Sequence, residues 1–151
     1  MRPSVWLSAL AVSAAATLTV SAQQAKTYRA RLSPVPIDVS MQATVAGSGT
    51  VSATLTGTKL AITGSFEGLK SPATTAQLHK GPVRGVRGPA VAELAVGKGA
   101  DPTSGTITAS MDLTQVQVAD LEKGRLYVQL QSEKAPDGNL WGWLLVQENK
   151  R

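Results

Sequence analysis

The chain has 151 residues, no cysteine, one histidine and a formal net charge of +5 at pH 7. Without cysteine there is no disulfide, thiolate metal site or cysteine nucleophile, and the lone His79 argues against a multi-histidine metal centre. The modest charge and an aromatic content of 4% do not match the dense basic face and stacking rings of a nucleic-acid binder, so nucleic acid is not an expected partner.

Met1 to Ala22 has the three parts of a secretory signal. Arg2 is the positive start, Val5 to Val20 is an apolar run, and Val20-Ser21-Ala22 ends in small residues. Cleavage is expected before Gln23, with a cut after Ala25 as second choice. Ser8, Ser13, Thr17 and Thr19 interrupt a run already short for a membrane span, so a retained anchor is not expected. No cysteine follows the run to carry a lipid, and no later stretch is apolar enough to span a bilayer. The expected division is residues 1–22 as signal peptide and 23–151 as one exported domain, periplasmic or secreted. Removing 22 from 151 leaves 129 residues, enough for a single core.

Threonine and valine supply 25 of those 129 residues, a composition that favours strands. Period-two alternation then places them. Thr27 to Leu32 reads as the first strand, and Met41 to Val45 as a weaker one. In Thr50 to Thr56, Val51, Ala53 and Leu55 share a face. In Lys59 to Phe66, Leu60, Ile62 and Phe66 do the same. The two-residue link Gly57-Thr58 suits a tight hairpin. Further strands are Thr74 to His79, Ala90 to Val96 and Thr106 to Leu113.

A helix then breaks the pattern. Thr114 fits an N-cap and Gln117 its capping-box partner, Leu113 and Val118 fit a hydrophobic staple, and Gly124 fits the stop. Arg125 to Gln131 and Asn139 to Val146 complete the strands, with Pro136-Asp137-Gly138 as the expected turn between them. About eight strands with frequent turns and one short helix indicate an all-β antiparallel β-sandwich.

Three segments, in order, resemble the CHRD domain first described in chordin. One is Thr58 to Leu69, ending Phe66-Glu67-Gly68-Leu69. The next is Ala76-Gln77-Leu78-His79-Lys80-Gly81-Pro82, followed by Gly85-Val86-Arg87-Gly88-Pro89. The last runs from Leu113 to Leu144 and includes Gly124-Arg125-Leu126-Tyr127-Val128 and Asn139-Leu140-Trp141-Gly142. The resemblance implies a sandwich of immunoglobulin-like or copper/zinc dismutase-like type and leaves the activity open. It also implies histidines where this chain has Gln77 and His79, and another near Gln131. With glutamine in two of three places, a polar cluster of Gln77, His79 and Gln131 is expected, with no metal and no cofactor.

Three features carry the functional expectations. His79 is either a hydrogen-bonded strand residue or a proton-transfer or binding group. The segment from His79 to Gly88 carries Lys80, Arg84 and Arg87 with no acid, so it is either a solvated connector or a contact for an anionic ligand. Trp141 and Trp143 sit two apart and share a strand face, with Tyr127 expected beside them. That face is either covered by a loop or helix, or open to a partner or sugar. Glu93, Asp101, Asp112 and Asp120 are expected at the surface, and no paired carboxylates or nucleophile elbow are found. The leading expectation is a non-enzymatic binding module for a protein or anionic ligand of the envelope. The alternatives are a small enzyme or redox accessory protein using His79, and a self-associating structural protein.

Overall fold

A computed structural model of the chain describes residues 23–35 and 38–148. The expected signal, residues 1–22, lies outside the described residues. Nine strands and one helix follow in order. They are β1 (Lys26–Pro34), β2 (Ser48–Thr56), β3 (Lys59–Glu67), β4 (Ala73–Lys80), β5 (Ala90–Lys98), β6 (Gly105–Asp112), α1 (Gln115–Glu122), β7 (Leu126–Ser132), β8 (Ala135–Trp143) and β9 (Leu145–Val146).

The all-β antiparallel character and the short helix are as the alternation implied. The two-sheet sandwich is not. The hydrogen-bonded order is β2-β3-β6-β5-β4-β7-β8-β1, and β1 pairs back onto β2. Eight strands therefore form a closed barrel. Two of them turn the corners. β1 pairs with β2 through Leu32 and then with β8 at Ser33 and Pro34. β5 pairs with β4 up to Leu94 and then with β6 from Ala95 onward. Each corner strand belongs to both sheets, so no open edge separates them. The two-residue β9 adds to β1 at Tyr28 and Arg29.

Inward residues follow the period of two. Val51, Ala53 and Leu55 on β2 meet Leu60, Ile62 and Phe66 on β3 inside the barrel. Leu78, Leu126, Val128, Leu130 and Leu140 fill the other side, all fully buried. Each such side chain contributes about 1.5–3 kcal/mol of burial. The Gly57-Thr58 turn forms as expected, with Gly57 at φ +64. The helix start is also as expected. Thr114 Oγ1 accepts from the Gln117 amide at 3.2 Å, and Gln117 Oε1 accepts from the Thr114 amide at 2.9 Å.

Two local readings are corrected. Met41 to Val45 is not a strand. The Asp38 side chain caps a 3-10 turn at Val39–Met41, and Thr44 Oγ1 then bonds the Met41 carbonyl at 2.9 Å. These short side chains satisfy the backbone locally, in competition with any ladder. Pro136-Asp137-Gly138 is not the hairpin turn. That turn is Glu133-Lys134, closed by Ser132 opposite Ala135 and held by Pro72 and Ser71. The register jumps before Leu130 meets Leu140, so Pro136 to Gly138 form a bulge inside β8. A bulge needs no amide from proline, which is why turn-like residues fit there. The expected last strand is likewise split, into the end of β8 and the short β9.

Burial pushes the phenol of Tyr28 up from its ordinary 10.0. A raised folded value favours the neutral form in the fold. That contribution is complete below about pH 10, the unfolded value, and is lost as pH climbs through the folded value. In alkaline unfolding titrations, Tyr28→Phe should therefore lose less stability above pH 10 than the native chain does.

Candidate binding site

β7 is buried along its whole length, on both faces. Leu126, Val128 and Leu130 point into the barrel core. Tyr127, Gln129 and Gln131 have the opposite parity, and they too are shielded from solvent. Their cover comes from the neighbouring strands and from the loop at residues 81–89, which folds back over this outer face.

The loop is fastened at Gly88. The Gly88 amide donates to Tyr127 Oη at 3.0 Å, and Tyr127 Oη donates to the Gly88 carbonyl at 3.2 Å. The same carbonyl lies 2.9 Å from His79 Nδ1. A carbonyl only accepts, so Nδ1 carries the proton and the lone pair of a neutral ring sits on Nε2. That Nε2 is buried with no hydrogen-bond partner among the described residues. Glycine is required at this return because a Cβ on Gly88 would collide with the Lys80 carbonyl oxygen. Arg87 reaches further, donating to Gln129 Oε1 at 3.3 Å and to the carbonyl of Asp137 in the β8 bulge.

Four rings gather beneath the loop. His79 stacks on Tyr127 with centroids 5.0 Å apart and planes at 21°. Tyr127 meets Trp143 at 4.5 Å and Trp141 edge-on at 5.8 Å. The two indoles touch at 5.9 Å and 67°. The register explains the grouping, since His79, Tyr127 and Trp143 lie in one cross-strand row, with Trp141 opposite Gln129 in the next. His79 and Tyr127 are buried, whereas Trp141 and Trp143 are half-buried. The tryptophan face is thus partly covered and partly open.

The expected polar trio separates. Gln131 Nε2 donates to Gln77 Oε1 at 3.0 Å, Thr75 Oγ1 donates to Gln131 at 2.9 Å, and Gln77 donates to Glu93. His79 is not in this chain of bonds, because its one bonded nitrogen is turned to the loop. Among the described residues, no group of three His, Cys, Asp or Glu side chains could hold a metal ion.

The three basic residues also part company. Lys80 Nζ lies 2.6 Å from Asp120 Oδ2, and Arg125 Nη1 lies 3.5 Å from Asp120 Oδ1. Asp120, expected at the surface, is buried, and the pair ties α1 to the end of β4. Arg84 and Arg87 remain exposed with no carboxylate in ion-pair range among the described residues. Gln129 was not singled out, although it shares the parity of Tyr127 and Gln131. The pairing of Asp120 was not legible, because Lys80 is far from it in sequence.

A family model described as the CHRD domain matches residues 28–144, which include every residue of this site. No curated protein and no solved structure matches the chain.

Tyr127→Phe removes the hydroxyl that holds both polar atoms of Gly88 and keeps the ring. The expected loss is about 1 kcal/mol in denaturant unfolding. The Gly88 amide should also exchange with solvent faster, as read by hydrogen exchange. Unchanged protection at Gly88 would show that the loop is held by other means.

Proposed function

The chain belongs to the CHRD domain family, and from that premise we propose that it works as an exported, non-enzymatic binding module. The observation that carries this reading is the half-exposure of Trp141 and Trp143 over an otherwise buried ring cluster. Large amphipathic rings anchored by packing and open on one side suit recognition, because they offer contact area with little rotamer entropy to lose. The loop continues that surface. Gly81 lies directly against the Trp143 indole, so loop and tryptophans form one face. Val83 and Val86 are 53% and 47% exposed, next to Arg84 and to Arg87, whose guanidinium is bonded to Gln129 and to the Asp137 carbonyl.

Apolar contact bordered by positive charge favours an acidic protein surface or other anionic ligand of the envelope. Lys80 drops out of the contact set because Asp120 holds it. His79 and Tyr127 act as supports, fixing Gly88 and hence the loop base. Among the described residues, no helix is long and apolar enough to cross a membrane.

Export rests on Met1 to Ala22. Intact-mass measurement on protein recovered from the periplasm or medium should give a chain starting at Gln23, and a retained Met1 in that material would defeat the export reading. For the binding face, the Trp141→Ala/Trp143→Ala double variant is the test. Crosslinking and mass spectrometry on the native envelope fraction should show partner capture lost, with circular dichroism of the domain unchanged. Equal capture by the folded double variant would remove the tryptophan face from the proposal.

A further inference from the structure

A groove of about 1070 Å³ crosses the outer face of β1, β2 and β3, and shares no residue with the aromatic site. Its floor depends on two glycines. Gly49 on β2 and Gly64 on β3 have inward parity, and a Cβ on either would collide with a backbone carbonyl of the partner strand. Neither position could carry a side chain without moving the strands that floor the groove.

The register sets out the lining in two rows. Arg29 lies beside Ser52, and Ser52 beside Thr63. One outward step along, Arg31 lies beside Thr50, and Thr50 beside Ser65. Each row is an arginine followed by two hydroxyls. The rows are about 7 Å apart along the strands and neighbours within a row about 4.8 Å apart. Arg29 and Arg31 are exposed and have no carboxylate in ion-pair range among the described residues. No large apolar side chain is exposed in the groove. The lining therefore offers hydrogen bonds and two guanidinium forks, with nothing for a lipid tail or an apolar protein anchor. Glu67 sits at the end of β3 beside the groove and gives it a negative end.

We propose that this groove binds an acidic polysaccharide. Arg29 and Arg31 grip two successive anionic groups through bidentate hydrogen bonds, and the serine and threonine rows bond sugar hydroxyls. Glu67 fixes the direction of the chain, since anionic groups are drawn to the arginine side and repelled from the other. The site is independent of the tryptophan face and would stand if that face bound nothing.

Titration calorimetry of the purified protein with heparin, polygalacturonate and dextran tests the assignment. Heparin presents sulfates, polygalacturonate presents carboxylates, and dextran presents neither. Binding of at least one acidic polymer and none of dextran is expected. Arg29→Ala/Arg31→Ala should weaken that binding about tenfold or more. Arg29→Lys/Arg31→Lys should weaken it as well, because the charge stays and the forks go. Ser52→Leu, which fills the groove at constant charge, should do the same. Trp141→Ala/Trp143→Ala should leave it intact, which separates this site from the proposed partner face. The exposed pair Lys98→Ala/Lys123→Ala removes the same charge elsewhere and should have little effect. The proposal is overturned if no acidic polymer binds, or if the lysine pair matters as much as the arginine pair.

Discussion

Seven residue pairs between β1 and β2, from Lys26 opposite Leu55 to Leu32 opposite Gly49, close the barrel. Without that seam, both strands would present unpaired amides and carbonyls to solvent, and the inward faces of Tyr28, Ala30 and Leu32 would lose their cover. The chain has no cysteine, so no covalent link can stand in for it. The β1–β2 seam joins strands consecutive in sequence, so the larger loop entropy falls on the β1–β8 pairing of Ser33 with Trp141 and Pro34 with Leu140, and the continuous apolar interior offsets it. β1 is also the strand that receives β8 and β9, which places the tryptophan strand next to the seam.

β7 explains why side chains are buried on the outside of this barrel. A strand in a closed ring normally faces solvent with its outward residues. Here those residues are a tyrosine and two glutamines, and each is satisfied by hydrogen bonds rather than by water. Gln129 holds the β8 bulge through the Asp137 carbonyl, Tyr127 holds Gly88, and Gln131 holds Gln77. Buried polar groups are costly unless paired. The loop, the bulge and the two tryptophans are therefore linked through one strand, and their relative placement is fixed by pairing rather than by apolar contact alone.

Most of the strand set was legible because inward Leu, Ile and Val alternate cleanly with Thr and Ser. The capped helix was legible because Thr114 and Gln117 form a local motif. The sandwich reading failed at β5 and β1, where one strand serves two sheets. That division depends on partners distant in sequence and leaves no mark on the alternation. Pro136-Asp137-Gly138 was misread because bulges and turns select the same residues. In the candidate site, the shared face of Trp141 and Trp143 followed from parity. The capture of Lys80 by Asp120 did not, since it depends on where α1 docks. The groove on β1–β3 was missed although Arg29 and Arg31 alternate plainly, because its rows of serine and threonine come beside them only through pairing between strands.

The loop at residues 81–89 is fixed at its base and free at its tip. Gly88 and Arg87 are bonded to the barrel, and Gly81 donates to the Arg125 carbonyl at 2.9 Å, whereas Pro82 to Val86 lie exposed. Its supports come from strands that pair with one another whether or not the tip is present. The tip can therefore change length or chemistry at little cost to folding. Such an arrangement separates heritable variation of the tip from the demands of stability, so one frame tolerates many tip sequences at a handful of positions.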